Sequence, residues 1–372
     1  MSYQSRRLQV GPLAVVVETD EASILNDFEL LFAGFGDAPA KDPILTVRIV
    51  RADLSSPAAE PMYRALFDGK PVGGQANQNQ VALAVTRKLN RAVLDAEPEV
   101  LHLHAGAVRD DHSVVLVIGS SFAGKSTLVA KLVAEGWRYL SDQQVGITPD
   151  GKILSYPRPI TLRRNSWPLF DHLAHVEVPM DSDDAADRFE LSPTVLGTID
   201  HSSPSRPTLV ICPDAASEAF YVEPLTTAET LELFVRNSLD LERAADVGIE
   251  AMLALAASAP GYSVGGQDLD QKLQALVELA GKAEAPGEPV EHTIVADDEA
   301  GVRVAGALGW LFIDGSGAVY EPVTGALVRF DESGYRSWQS LGLAERDWPE
   351  GLAGSGFVAE LTEAGLLHGG DA

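Results

Sequence analysis

One cysteine in 372 residues, Cys212, rules out an internal disulfide. That usage suits a reducing compartment, and the expected location is the cytoplasm. Its place after the apolar run Leu209-Val210-Ile211 predicts a buried, inert thiol. Positive charge is scarce as well: 28 Lys and Arg stand against 54 Asp and Glu, a net charge of −26. So acidic a chain is repelled by phosphate backbones and anionic lipid, which excludes nucleic acid and membrane surfaces as main partners. No run reaches the roughly 18 apolar residues of a membrane helix. Arg6-Arg7 could open an export signal, but the run that follows, Leu13 to Val17, is short and is closed by Glu18 and Asp20. What remains is an ordinary globular composition, 45% apolar and 22% charged, with length enough for two or three domains.

The chemically pointed stretch is Gly119-Ser120-Ser121-Phe122-Ala123-Gly124-Lys125-Ser126-Thr127, which fits the phosphate-loop pattern G-x-x-x-x-G-K-[ST]. Before it, Val114 to Ile118 is a continuous β-branched apolar run, read as a buried strand. After it, Leu128/Leu132 and Val129/Val133 keep helical i,i+4 spacing. Strand, loop and helix N-terminus in that order aim backbone N–H groups at an anion. Gly119 and Gly124 let the backbone turn tightly and approach phosphates. Lys125 is expected to put a point charge on the β- and γ-phosphates. Ser126 is expected to offer its hydroxyl to Mg²⁺.

The flanks add candidates. Residues 1–98 read as a small α/β region, with strands at Leu13 to Val17 and Leu45 to Ile49. A hairpin dipeptide follows at Asp68-Gly69, then a helix carrying Val81, Val85, Leu89 and Val93. In Leu101-His102-Leu103-His104, strand alternation puts both histidines on one face. His104 is either a partner of a catalytic acid or a satisfied core histidine, and two histidines without a third ligand make no metal site. Beyond the loop helix, a strand over Trp137 to Leu140 ends at Ser141-Asp142-Gln143-Gln144. An acid at a strand end beside a phosphate loop can ligate Mg²⁺ or take the proton of an attacking hydroxyl; otherwise Asp142 is a turn residue. Arg158, Arg163 and Arg164 form the densest basic patch. They either clamp phosphoryl oxygens or an acidic substrate segment, or lie on a surface connection. The run Asp181 to Asp187 lacks the glycine and distal glutamate of a calcium loop and reads as solvated. Thr226-x-x-Glu229 predicts a capped helix, and 282–290 a linker. The last residues predict a hairpin around Asp314-Gly315-Ser316-Gly317, a helix capped by Asp331, and a final helix with Phe357 and Leu361. They are too acidic for a DNA-reading winged helix.

Two resemblances follow from these residues. The stretch from His104 to about Leu162 resembles the HPr kinase-like fold, a P-loop kinase class related to phosphoenolpyruvate carboxykinase. The matching pieces are His104-Ala105-Gly106, the loop from Gly119 to Ser126, and Leu132-Val133-Ala134-Glu135-Gly136-Trp137-Arg138-Tyr139-Leu140-Ser141-Asp142. The resemblance implies an ATP-binding loop, Asp142 as the base that activates a substrate serine, His104 as its partner, Lys125 on the phosphates and Ser126 on Mg²⁺. Thr127 stands where that family has an acid, and Gln143 where it has a second aspartate. The pieces Phe330-Asp331 to Trp338-Gln339-Ser340-Leu341, and Phe357 to Leu367, resemble PqqD-like peptide-recognition domains, which hold precursor leader peptides.

The expected fold class is α/β: an N-terminal α/β subdomain at 1–98, a P-loop HPr kinase-like core at 99–281, and a small winged-helix-like α+β, PqqD-like module at 290–372. The expected activity is ATP- and Mg²⁺-dependent phosphoryl transfer to a hydroxyl, a serine of a peptide or protein partner, in a setting such as peptide natural-product modification. The loop residues Gly119 to Thr127 bind the nucleotide. Asp142, His104 and Lys125 carry the chemistry, and Ser126 and Asp142 hold the metal. The alternatives are a non-catalytic nucleotide-binding adaptor that recruits a peptide and a small-metabolite kinase.

Overall fold

The computed structural model describes residues 2–39, 44–52, 61–170, 173, 188–201, 204–282, 284, 287–295, 303–342 and 356–367. The acidic run Asp181 to Asp187 and part of the linker lie outside the described residues. The protein is mixed α/β. Its first sheet runs in the order Gly36–Asp37, Leu8–Val10, Leu13–Thr19, Ile44–Arg51, Tyr63–Phe67, Lys70–Ala76, with Tyr3–Gln4 also paired to Leu13–Thr19. The hairpin between Tyr63–Phe67 and Lys70–Ala76 closes through Asp68 and Gly69, at φ +45° and +79°, the conformation Asp-Gly favours. Val47 and Ile49 face inward and meet Ile24 and Phe28 of the helix Ala22–Leu31. Val81, Val85, Leu89 and Val93 of the helix Gln78–Ala96 join the same core. Asn77 starts that second helix by accepting a hydrogen bond from the Gln80 N–H.

The central sheet runs Arg138–Ser141, Ala105–Arg109, Val114–Ile118, Leu209–Asp214, Gly261–Gly265, Tyr221–Leu225. Its three middle strands from Val114–Ile118 to Gly261–Gly265 are parallel, and the flanking pairs are antiparallel. Such strands are buried on both faces, which explains the uninterrupted apolar run at 114–118. The helices Lys125–Ala134 and Leu269–Ala280 cover one face. Thr227–Arg236 and Leu241–Ser258 cover the other. Thr226 and Glu229 form the capping box that the sequence predicts. A small sheet of Ile153–Leu154, Val145–Ile147 and Leu101–Leu103, and a ribbon of Ile160–Arg163 with Arg188–Leu191, complete this part.

The last sheet is an antiparallel meander of Glu291–Ile294, Leu308–Leu311, Ser316–Glu321 and Ala326–Asp331. Both of its faces are used. Trp310, Phe312, Ala318 and Tyr320 join the central core with Leu231 and Phe234. Leu311 and Val319 point the other way, against Tyr335 and Trp338 of the helix Glu332–Ser340 and Leu361 of the helix Gly356–Glu363. Its hairpin turn also docks on the central part: Asp314 accepts from the backbone N–H of Thr227 at 2.7 Å and from the Thr227 hydroxyl at 3.0 Å. A carboxylate at a helix N-terminus is favoured by the exposed N–H groups there. Among the described residues no helix is long and apolar enough to cross a membrane.

Trp310 is 1% exposed at this shared core. Trp310→Ala is expected to lower the unfolding free energy of the whole chain by about 3–5 kcal/mol in denaturant titration. An unchanged midpoint would mean the last sheet does not support the central one.

Candidate functional site

Parallel strands deliver their C-terminal ends to one edge, and ligands of open α/β sheets collect there. Three loops meet at that edge: Gly119–Gly124, Pro213–Ala215 and Gly266–Gln267, around a cavity of about 540 Å³. The first is the phosphate loop. Gly124 has φ +94°, and a Cβ at Gly119 would sit 3.2 Å from Cys212 Sγ, so the glycines are needed where they stand. Phe122 at the loop apex has φ +71° and is 73% exposed. Lys125 is buried, and its Nζ donates to the carbonyls of Gly119 at 2.7 Å and Ser120 at 2.9 Å. Burial lowers its pKa, and nearby Asp142 opposes that shift.

Asp142 follows the strand Arg138–Ser141 and is 1% exposed. Its Oδ1 accepts from Ser126 Oγ at 3.1 Å, while Oδ2 is buried without a hydrogen-bond partner. Burial pushes the carboxyl pKa up, although the Arg158 charge and the Ser126 hydrogen bond pull it down. Gly106, on the neighbouring strand Ala105–Arg109, makes room for this contact. A Cβ there would lie 2.5 Å from Val129 Cγ2 on the loop helix and 3.4 Å from Asp142 Oδ1. Gln143 adopts φ +64°, which turns its carbonyl to His104 Nδ1 at 3.1 Å. A carbonyl only accepts, so Nδ1 carries the proton and Nε2 is left as the acceptor. Burial, and then the Lys125 charge, lower the His104 pKa and favour the neutral ring.

The structure corrects three expectations. His104 bonds to the Gln143 carbonyl rather than to Asp142. His102 and His104 do not share a face of one strand. Pairing breaks at His104, whose N–H donates to the Asn237 carbonyl, and His102 lies in the other sheet against Asp240, 2.9 Å from Nδ1. Arg158 is no clamp on a ligand, since it is 4% exposed and paired with buried Glu190 at 3.2 Å.

Arg163 does reach the cavity, with its guanidinium 4.0 Å from the Phe122 ring centroid. Arg164 does not line the cavity. Arg188 and Lys272 do, and sequence reasoning missed both. Lys272 is 3% exposed, and its Nζ donates to the Asp214 carbonyl at 3.3 Å. Nothing local marks either residue in the sequence. Each arrives from a distant segment through sheet topology.

Among the described residues no three His, Cys, Asp or Glu side chains cluster as a metal cage. The donors present are one hydroxyl and one carboxylate with a free buried oxygen. That set suits Mg²⁺, which draws the rest of its oxygens from phosphate and water. A phosphate-bearing nucleotide fits the glycine cradle on the same physical grounds.

No family model matches the chain, and no curated protein matches it. Among solved structures, the Hpr(Ser) kinase/phosphatase from Coxiella burnetii is a distant match at 13% identity and TM-score 0.21. It covers 49% of this chain and 93% of its own.

Two outcomes follow. Gly106→Ala is expected to destabilise the protein by about 1–3 kcal/mol through overpacking, and adding Val129→Ala is expected to restore most of the loss. Full destabilisation of the double variant would place the strain elsewhere. Asp142 has a raised pKa when folded, so its stabilising protonated form is lost as pH rises through that value. The melting temperature of Asp142→Asn relative to the parent, without nucleotide, is therefore expected to climb from about pH 4 toward neutrality. A difference that is flat or falls with pH would contradict the burial assigned to this carboxyl.

Proposed function

We propose that the chain is a kinase that moves the γ-phosphoryl group of ATP to a hydroxyl, a serine on a peptide or protein. The observation that carries this is the 3.1 Å contact between Ser126 of the phosphate loop and Asp142, with Asp142 Oδ2 buried and unpaired beside it. The backbone of Gly119 to Thr127 holds the phosphate chain. Lys125 leaves the loop carbonyls it now contacts and turns to the β- and γ-phosphates. Ser126 and Asp142 Oδ1 would hold Mg²⁺, which when bound supplies charge neutralisation on the phosphates. Asp142 Oδ2 accepts the proton of the acceptor hydroxyl as its oxygen bonds to the γ-phosphorus and the bond to the β-phosphate oxygen breaks, releasing ADP. Neutral His104 fixes the Gln143 carbonyl and so orients the turn that carries Asp142.

In this reading residues 1–98 form an N-terminal subdomain, 99–281 the HPr kinase-like core, and 290–372 a PqqD-like module that presents the peptide. A second reading has a specific observation behind it. Gln143 occupies the position of a second acid, and its amide lies 3.4 Å from Ser126 Oγ. That would suit a nucleotide-binding adaptor without turnover.

The test mixes the full chain, Mg-ATP and a peptide encoded beside its gene, and follows peptide mass. One added phosphoryl group is expected, with rates falling by about a hundredfold or more in Lys125→Ala and Asp142→Asn. Nucleotide binding without transfer to any hydroxyl would favour the adaptor and reject the kinase.

A further inference from the structure

The phosphate loop has two flanks. Its strand, Val114–Ile118, lies between Ala105–Arg109 and Leu209–Asp214. Asp142 stands on the first flank, at the end of the strand beyond Ala105–Arg109. The second flank is Pro213-Asp214-Ala215, where the strand Leu209–Asp214 ends. That segment is packed on the loop. A Cβ at Gly124 would lie 3.3 Å from Ala215 Cβ, and one at Gly119 would lie 3.9 Å from Pro213 Cδ. Lys272 reaches the segment from near the start of the helix Leu269–Ala280, and it lines the cavity. The helix is tied to the loop helix by a shared core and by Asp270, which pairs with Lys131 at 2.8 Å.

Lys272 is 3% exposed. An ammonium has three protons to give, and among the described residues this one gives a single long hydrogen bond, 3.3 Å to the Asp214 carbonyl. The Asp214 carboxylate attracts it from a distance but is turned to other donors, the Ala216 N–H at 2.9 Å and the Tyr221 hydroxyl at 3.2 Å. Among the described residues no carboxylate forms an ion pair with Lys272, and burial lowers its pKa. A cation near a helix N-terminus is also on the unfavourable side of the helix dipole. Packing does not ask for this charge. Leu276 of the same helix serves the core, and a methionine at 272 would fill similar space without a buried ammonium. Lys125 is in the same state: buried, bonded to main-chain carbonyls, its pKa lowered by burial. Two such ammonium groups line one cavity.

We propose that Lys272 is a second phosphate ligand of the donor, holding the phosphate chain from the flank opposite Asp142. The proposal rests on the nucleotide reading of the cavity and not on turnover. Mg²⁺ and Lys125 together leave a triphosphate still negative, and an ammonium is a compact point charge suited to its non-bridging oxygens. Positive charge on both flanks holds the chain in place between them, which a single lysine in the loop does not do.

The test uses the full chain and isothermal titration calorimetry with two probes in the presence of Mg²⁺, a non-hydrolysable ATP analogue and inorganic tripolyphosphate. Lys272→Gln keeps a donor for the Asp214 carbonyl, and Lys272→Met keeps only the bulk. A melting curve of each empty variant checks its fold. Both variants are expected to bind either probe about ten- to a hundredfold more weakly than the parent. Parental affinity in Lys272→Gln would reduce the residue to a strut under the Asp214 carbonyl and overturn the proposal. A loss confined to the ATP analogue would move Lys272 to the base or ribose and also overturn it. A parent that binds neither probe overturns the ligand together with the nucleotide reading. ATP and a serine peptide then separate the ligand from the kinase. Tripolyphosphate binding that depends on Lys272, without phosphoryl transfer, rejects the kinase and keeps the ligand. Transfer at the parental rate and unchanged affinity in both variants keep the kinase and overturn the ligand.

Discussion

A carboxyl group closed off from water, with one oxygen unpaired, is expensive to hold in a folded protein. Asp142 is such a group, and it lies among other charges: Arg158 and Glu190 are also buried nearby. The Arg158 guanidinium and the Lys125 ammonium face these acids and oppose the cost of burial. Burial still raises the pKa of Asp142 and of Glu190 alike. The bonded oxygen of Asp142 meets the phosphate loop through the Ser126 hydroxyl. A buried carboxyl with an unpaired oxygen lowers stability, and costs of that kind gather at sites that bind or react.

Several local features exist to keep that carboxyl in place. The edge strand Arg138–Ser141 brings it to the loop helix. Gly106 removes the side chain that would push the two apart. The left-handed turn at Gln143 is strained for a residue with a Cβ, and the His104 ring bonds its carbonyl. His104 is free to do so because its own N–H leaves the strand ladder for Asn237 at the end of the helix Thr227–Arg236. The break between Leu101–Leu103 and Ala105–Arg109 thus splits one sequence run between two sheets, and it separates a structural histidine from one at the site.

How much of this was legible in the sequence depended on range. The loop, its strand and its helix are local, and their glycines and i,i+4 spacing carry the information. Asp142 was legible because the strand end places it close to the loop in any order of strands that lets the helix pack. The histidines were misread because alternation assumes an unbroken strand, and the bond that breaks it comes from residue 237. Arg158 looked like Arg163 and Arg164 because a sequence shows charge but not burial. Its partner Glu190 lies beyond the acidic run, across the ribbon. Arg188 and Lys272 were invisible for the same reason. The last sheet gave a signal that alternation alone does not use: Trp310-Leu311-Phe312 is apolar at every position and buried on both faces, while the next apolar residue, Ile313, is exposed beyond the strand end.

The charge balance ties these levels together. A surface of strong negative charge keeps the protein from gathering anions in general. Against that field, Lys125, Arg163, Arg188 and Lys272 converge on one cavity, two of them largely withdrawn from solvent. Desolvation lowers the pKa of both lysines, a sign that their charge is held at a cost. Lysines kept out of water are stronger sites for an anion that enters the cavity than for one that stays outside. Selectivity then comes from the contrast between surface and cavity.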